Sequence, residues 1–192
     1  MPPLILASTS PFRRELLGKL GLPFQCASPE IDETPHTDEQ PEALVARLAE
    51  QKAKAVANNH PNSLIIGSDQ VAILDQQIIG KPGNHARATQ QLQQASGKTI
   101  TFLTGLSLYN STNQTLQTEV VPYIVHFRKL TNQQIEHYLQ AEQPYHCAGS
   151  FKSEGLGISL FQKLQGDDPN TLIGLPLIRL IKMLEKEGVE VI

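Results

Sequence analysis

A carboxylate follows an apolar run in this chain, in the segment Leu64-Ile65-Ile66-Gly67-Ser68-Asp69. The run predicts a buried strand over residues 64–74, and its small residues Gly67 and Ser68 lead directly to Asp69. A carboxylate at such a position is costly to desolvate unless it meets a cation, a metal ion or several hydrogen-bond donors. We therefore expect the chain to fold so that positively charged partners reach Asp69.

Strand patterns alternate with helical patterns along the chain. Strands are predicted over residues 4–7, 22–27, 64–74, 99–109, 116–127 and 158–164. Helices are predicted from Pro11 to the Gly18–Gly21 region and over residues 41–59, 85–95, 131–141 and 175–187. Because residues 99–127 form a hairpin in this pattern, the sequence predicts an α/β fold with a mixed sheet.

Size and charge limit the function classes. A chain of 192 residues can build one core, or two small lobes that share a cleft. Its net charge of −3 gives no support to broad nucleic-acid binding. No apolar segment is long enough to span a bilayer, and the first residues lack the positive region of a signal peptide. We expect a cytoplasmic enzyme or binding protein in which Cys26 and Cys147 are buried thiols.

Three cations stand in unusual places. Arg13 shares a helical face with leucines, and Lys52 falls at helical spacing among apolar residues of the second helix. Lys81 lies in a Gly-Lys-Pro turn, whose fixed backbone can aim a side chain. The alternatives are an arginine or a lysine that reaches past the core edge, and a solvated turn lysine. As a set, the three cations indicate a site for a strongly anionic ligand.

Hydroxyl groups and carboxylates complete this prediction. Ser8, Thr9 and Ser10 precede Pro11 at a predicted helix start, where free backbone N–H groups attract phosphate. Ser10 alone is also explained as an ordinary N-cap. The acidic loop contains Asp32-Glu33, which beside Asp69 could help hold Mg²⁺. The residues thus predict a polyphosphate site with a metal ion.

The sequence resembles the Maf family of nucleoside triphosphate pyrophosphatases, which are related to the inosine triphosphatase fold. The matching segments are Leu6-Ala7-Ser8-Thr9-Ser10-Pro11-Phe12-Arg13-Arg14-Glu15-Leu16-Leu17, Asp32-Glu33-Thr34, Gly67-Ser68-Asp69-Gln70-Val71, Gly80-Lys81-Pro82, Thr104-Gly105 and Gly174-Leu175-Pro176. The resemblance implies one domain over residues 1–192, with a mixed twisted sheet flanked by helices and two lobes around a central cleft. It also implies a homodimer.

The resemblance further implies hydrolysis of a nucleoside triphosphate to its monophosphate and pyrophosphate, with a divalent cation such as Mg²⁺, Mn²⁺ or Co²⁺. Asp69 would be the proton acceptor, and Glu33 and Asp69 would hold the metal. The remaining residues that the resemblance assigns to phosphate binding are Ser8, Arg13, Lys52 and Lys81.

The finer resemblance is to the 7-methyl-GTP pyrophosphatase branch. It rests on Phe12, Gln70 and the loop from His146 to Gly155, and it implies substrate selection by Phe12, Gln70 and Glu154. An aromatic ring can stack on the cationic methylated base, and a carboxylate can accept from the edge of guanine. The branch often has tryptophan at position 12, so Phe12 is a departure.

Two of these residues have ordinary structural roles as alternatives. Glu154 could be a loop acid paired with Lys152, and Phe12 could be a core ring near the helix start. The alternative functions are a dTTP/UTP pyrophosphatase and a non-catalytic nucleotide-binding regulator of cell division.

Overall fold

The computed structural model describes residues 1–192. Its strands are Leu4–Ala7 (β1), Phe24–Ala27 (β2), Leu64–Leu74 (β3), Gln77–Ile79 (β4), Thr99–Asn110 (β5), Thr115–Phe127 (β6) and Phe161–Gln165 (β7). Its α-helices are Pro11–Gly18 (α1), Pro41–Ala55 (α2), His85–Ala95 (α3), Asn132–Glu142 (α4), Pro169–Ile173 (α5) and Leu177–Lys186 (α6). Short 3₁₀ turns occur at Ala57–Asn59, Ala148–Ser150 and Leu156–Leu160.

The seven strands form one mixed sheet, as the sequence predicts. The strand order is β2-β1-β3-β5-β6-β7, and β4 pairs with β3. β1 is parallel to both of its neighbours, with Leu4 opposite Phe24 in β2 and opposite Leu64 in β3. β4 is antiparallel to β3, and β7 is antiparallel to β6. The predicted α/β class with a mixed sheet is therefore confirmed.

Most predicted elements occur with small shifts, and two predictions need correction. The segment 158–164 is not one strand, because Leu156–Leu160 forms a 3₁₀ turn and β7 begins at Phe161. Helix α2 ends at Ala55, and residues 57–59 form a 3₁₀ turn. Helix α5 was not predicted from the sequence; Asp168 caps it by accepting a hydrogen bond from the backbone N–H of Asn170.

The chain comprises two compact units. The first unit contains Met1–Gln70, Thr104–Val121 and Asp168–Ile192, and the second contains Val71–Leu103 and Pro122–Asp167. The expectations of a single domain over residues 1–192 and of a central cleft stay predictions.

The first unit packs apolar side chains on both faces of its parallel strands. In β1, Leu4 and Leu6 belong to one core cluster, whereas Ile5 and Ala7 belong to another. Because alternate residues of a strand point to opposite faces, β1 is buried on both sides. The larger cluster includes Leu16, Leu17, Leu64, Ile66, Leu106, Leu108, Leu175, Leu177, Leu180, Met183, Leu184 and Val189.

Helix α2 lies unusually close to the strands of the first unit. A Cβ added to Gly67 in β3 would lie 2.0 Å from the carbonyl oxygen of Ala49. A Cβ added to Gly105 in β5 would lie 2.1 Å from the carbonyl oxygen of Val45. These two glycines therefore let the helix backbone rest directly on the strands, and this contact fixes the height of α2 above Asp69.

The second unit has an aromatic core. Phe151 packs edge-to-face with three other rings, at centroid distances of 5.5 Å to Phe102, 5.6 Å to Phe127 and 4.9 Å to Phe161. Edge-to-face contacts of this kind stabilise aromatic clusters beyond the area they bury. The cluster anchors the segment that precedes Glu154.

The expectation of two buried thiols is wrong for Cys26, which is exposed, whereas Cys147 is half-buried. Cys26 lies in β2, which is the last strand in the sheet order and is covered less than β1. No helix in the structure combines the length and apolar character that a membrane span requires.

Candidate active site

Asp69 meets a buried cation. The Lys52 ammonium donates a hydrogen bond to Asp69 Oδ1 over 2.6 Å, and it also lies 2.8 Å from Glu33 Oε1. Lys52 is only 6% exposed and Asp69 only 8%. A charge-assisted contact of this length offsets much of the cost of burying both groups. The structure therefore brings together the predicted base, one predicted cation and the acidic loop.

Lys52 reaches Asp69 because of its place on α2. The helix buries Val45, Ala49 and Ala53 on the face that also carries Lys52. Its backbone contact with Gly67 lies two residues before Asp69 in β3. The lysine therefore crosses a short distance to the carboxylate and does not reach past the core edge to solvent.

Arg13 is a second cation of the same unit. Its Nε donates to the carbonyl oxygen of Gly174 over 2.9 Å, and the Ser68 hydroxyl donates to that same oxygen over 3.0 Å. Burial lowers the pKa of the Arg13 guanidinium, while the negative charges of Asp69 and Glu33 act to raise it. Arg13 is thus held within the electrostatic field of both carboxylates, and it is not a side chain that extends into solvent.

The start of α1 is held by hydroxyl groups. Ser10 is the N-cap, and its side chain accepts from the backbone N–H of Arg13, as the sequence predicts. Ser8 is 6% exposed, and its hydroxyl oxygen accepts from the backbone N–H of Ser10 over 3.1 Å. This bond orients the segment that leads into the helix. Ser8 can still donate its own hydroxyl proton to an anion.

Gln70 is tied to its own unit. Its side-chain Nε2 donates to Thr104 Oγ1 over 2.9 Å and to the carbonyl oxygen of Thr171 over 2.8 Å. Thr104 donates to that carbonyl as well. Since these bonds use Nε2, the oxygen Oε1 is the part of Gln70 that could contact a substrate. The structure gives Gln70 a framework role that the sequence did not indicate.

The acidic pair fits a hard divalent cation. Glu33 and Asp69 both place a carboxylate oxygen within 2.8 Å of the Lys52 ammonium, so the two side chains are close neighbours. No three His, Cys, Asp or Glu side chains are grouped so that they could hold a metal ion by themselves. Mg²⁺ in nucleotide sites takes one or two carboxylates and completes its shell with water and phosphate oxygens. Two carboxylates, one of them with a 59% exposed side chain, match that donor set.

Lys81 belongs to the second unit and is exposed. Two hydrogen bonds anchor the backbone of its turn. The side chain of Gln91 donates to the carbonyl oxygen of Gly80 over 3.1 Å, and the N–H of Gly83 donates to the carbonyl oxygen of Tyr145 over 2.9 Å. The turn therefore fixes the backbone of Lys81 while its ammonium stays free.

Glu154 does not pair with Lys152, which contradicts that alternative. Lys152 instead lies 3.5 Å from Glu142, whose carboxylate also accepts from the backbone N–H of Leu156 over 2.8 Å. The same carboxylate lies close to Gly155, 2.8 Å from where a Cβ of that residue would be. Glu142 thus holds the loop and leaves Glu154 with one long hydrogen bond from Ser153. This role of Glu142 was not predicted, because nothing in the local sequence distinguishes it from other glutamates on a helix.

Phe12 is not a core ring. It is 37% exposed on the first turn of α1, which contradicts the alternative in which it packs inside.

In the second unit, burial raises the pKa of the Cys147 thiol, Glu154 adds to this rise, and Lys152 and Lys81 oppose it. Lys81 and Glu154 therefore lie within electrostatic reach of the same thiol.

Sequence comparison places the chain in a family. The model of Maf-like proteins matches residues 3–187, so the chain belongs to the Maf-like protein family. A protein of Nitrosococcus oceani named 7-methyl-GTP pyrophosphatase is 62% identical over 191 residues, which cover 100% of this chain and 96% of that protein. A protein of Colwellia psychrerythraea with the same name is 58% identical over 192 residues, with the same shares covered.

Comparison with solved structures finds two Ham1 proteins. The HAM1 protein of Coxiella burnetii has a TM-score of 0.46 and 15% identity, and the match covers 66% of this chain and 73% of that one. The Ham1 protein of Staphylococcus aureus has a TM-score of 0.43 and 12% identity, with 65% and 71% covered.

Proposed function

We propose that this protein is a metal-dependent nucleoside triphosphate pyrophosphatase that hydrolyses 7-methyl-GTP to 7-methyl-GMP and pyrophosphate. The observation that carries the proposal is the buried contact of Lys52 with Asp69 and Glu33. Relatives at 62% and 58% identity that are named for this reaction support it. The cellular role we propose is to keep modified nucleotides from being incorporated.

Asp69 serves as the general base in this proposal. Lys52 occupies Oδ1, so Oδ2 remains to accept a proton from the attacking water. The water oxygen forms a bond to the α-phosphorus, and the bond between that phosphorus and the bridging oxygen of the β-phosphate breaks. Pyrophosphate leaves with the bonding electron pair. The hydrogen bond from the Lys52 ammonium, over 2.6 Å, also holds the Asp69 carboxylate in place.

The remaining polar groups bind the triphosphate. Ser8, Arg13, Lys52 and Lys81 offset the negative charge that develops on phosphate oxygens. Glu33 and Asp69 hold the divalent cation, which when bound supplies further positive charge at the phosphates. We take the physiological cation to be one of Mg²⁺, Mn²⁺ or Co²⁺, all of which accept oxygen ligands.

Base selection rests on two exposed side chains. Methylation at N7 makes the guanine ring cationic, and an aromatic face such as that of Phe12 attracts a cation. The carboxylate of Glu154 can accept from N1–H and the N2 amino group of guanine. Both interactions favour methylated guanine over a pyrimidine. Gln70 contributes to substrate selection by accepting a hydrogen bond at Oε1, since Nε2 is bonded to Thr104 and Thr171.

The test is pyrophosphate release from a panel of nucleotides. The rate should be highest on 7-methyl-GTP when GTP, dTTP and UTP are compared with Mg²⁺, Mn²⁺ or Co²⁺ present. A preference for dTTP or UTP would overturn the substrate assignment. Binding of nucleotide without release of pyrophosphate by the folded protein would support a regulator instead.

A further inference from the structure

The loop that carries Glu33 has no core of its own. Residues 28–40 connect β2 to α2 without a helix or strand, and none of them is buried. Apolar packing therefore cannot fix the position of Glu33. Polar contacts must do so, because a loop of this length otherwise retains large conformational freedom.

Arg47 supplies those contacts from α2. Its Nε lies 2.6 Å from Glu39 Oε1 and its Nη2 lies 2.7 Å from Glu39 Oε2, which is a bidentate pair. Nη2 also donates to the carbonyl oxygen of Thr34 over 3.2 Å, and Nη1 donates to Gln51 Oε1 over 3.1 Å. One guanidinium thus reaches the end of the loop and the residue directly after Glu33.

The loop contributes two further bonds. Glu39 Oε2 accepts from the backbone N–H of His36, and Asp32 Oδ1 accepts from the backbone N–H of Thr34, both over 2.9 Å. The Glu39 side chain is only 9% exposed. These bonds tie the segment from Asp32 to Glu39 to a single point on the helix.

The same helix carries Lys52, which lies 2.8 Å from Glu33. Arg47 and Lys52 are five residues apart on α2, so a single helix contacts both Glu33 itself and the part of the loop that follows it, at Thr34 and Glu39. A bidentate arginine pair fixes distance and orientation together, which a lysine cannot do.

We propose that Arg47, with Glu39 as its partner, is a positioning residue that orders the acidic loop so that Glu33 is in place to receive the divalent cation. This rests on the metal role assigned to Glu33 in the proposed function. Neither Arg47 nor Glu39 touches the substrate in this proposal. Their contacts restrict the loop before the cation binds. Glu33 therefore loses less conformational entropy on binding.

The experiment is a Mn²⁺ titration of the whole protein by electron paramagnetic resonance, with inorganic pyrophosphate present. Arg47→Met should raise the Kd for Mn²⁺ about 10-fold, in line with the loss of an outer partner of a metal ligand. Hydrogen exchange of the amides of residues 30–40 should become faster. At saturating metal, kcat should stay close to the wild-type value.

Two further variants make the result specific. Lys54→Met removes an exposed pair with Glu50 on the same helix, at 3.7 Å, and should change neither the Kd nor the exchange. Arg47→Lys keeps the charge without the planar fork and should restore only part of the affinity. If Arg47→Met does not fold, Glu39→Gln gives the same test, because it removes the charge and keeps the size.

An unchanged Kd for Mn²⁺ in Arg47→Met would overturn the proposal, even if exchange in the loop became faster. That result would mean that the pair stabilises the loop without serving the metal. The failure of the proposed function is a separate outcome: wild-type protein would release no pyrophosphate from any nucleotide, while the Mn²⁺ titration would still decide the role of Arg47.

Discussion

Lys52 and Lys81 have the same proposed task, yet the two units hold them in different ways. Lys52 is 6% exposed and contacts two carboxylates, so its charge is matched inside the first unit. Lys81 is exposed, and only the backbone of its turn is anchored. The first arrangement couples function to stability, whereas the second separates them. Substitution of Lys52 should therefore lower both activity and stability, whereas substitution of Lys81 should lower activity alone.

The largest effect on activity is expected from substitution of Asp69, the carboxylate that Lys52 contacts in the first unit. Asp69→Asn should lower kcat by about a thousandfold, because an amide cannot accept a proton from water. The protein should stay folded, since Lys52 keeps its contact with Glu33. Pyrophosphate release and thermal unfolding measure the two quantities. Near-normal turnover by the variant would remove Asp69 from the mechanism.

The two lysines test the comparison directly. Lys52→Met and Lys81→Met should each lower kcat/KM about a hundredfold through loss of a charged donor to phosphate. Only Lys52→Met should also lower the unfolding free energy, by about 2 kcal/mol, because it leaves the buried Asp69 without its hydrogen-bond donor. Equal losses of Tm in the two variants would show that the units do not differ in this way.

A smaller effect is expected from two glutamates of the second unit. Glu154→Gln should lower kcat/KM for 7-methyl-GTP about 10-fold, which corresponds to one hydrogen bond to a charged group, with Tm unchanged. Glu142→Gln is the matched control. It should lower Tm, because Glu142 accepts from the N–H of Leu156 and faces Lys152. If Glu154→Gln affects GTP, dTTP and 7-methyl-GTP equally, Glu154 does not select the base.

The smallest effect is a pH dependence of stability in the acidic loop. The hydrogen bond with Arg47 lowers the pKa of Glu39 from 4.5 to about 2. A carboxyl group with a lowered pKa stabilises the folded state above its unfolded pKa and loses this contribution as pH falls. The stability difference between wild type and Arg47→Met should be constant above pH 4.5 and should shrink between pH 4.5 and about 2. Denaturant unfolding at several pH values measures it, and a difference that does not shrink would contradict the assignment.

Much of the fold follows from local patterns in the sequence. The bounds of β1, β3 and α3 match the prediction, because their apolar periodicity coincides with clear turn or capping residues. The prediction of a strand over residues 158–164 was wrong in part, because the apolar residues of this segment do not distinguish a 3₁₀ turn from a strand. Helix α5 was missed because it has only five residues, although Asp168 and Pro169 mark its start.

The candidate site was predictable in part. Helical spacing showed that Arg13 and Lys52 lie on apolar faces, and this was enough to predict a site for a strongly anionic ligand. The partners themselves come from distant segments: Arg13 contacts Gly174, and Lys52 contacts Asp69 and Glu33. Such pairings depend on how the strands assemble, which no local pattern encodes. The role of Arg47 could not be predicted, because charged residues are common on helix surfaces and its contacts with Glu39 and Thr34 are visible only in the structure.

The close approach of α2 to the strands has a consequence for protein engineering. Gly67 and Gly105 leave no room for a methyl group, so saturation libraries at either position should yield few functional clones. Libraries at exposed positions such as Phe12 and Glu154 meet no such barrier. Under the proposed function, substitutions at these two exposed positions can alter base preference, while the contact of α2 with Gly67 keeps the spacing between Lys52 and Asp69 unchanged. Homologous sequences should show the same division, with more variation at positions 12 and 154 than at these two glycines.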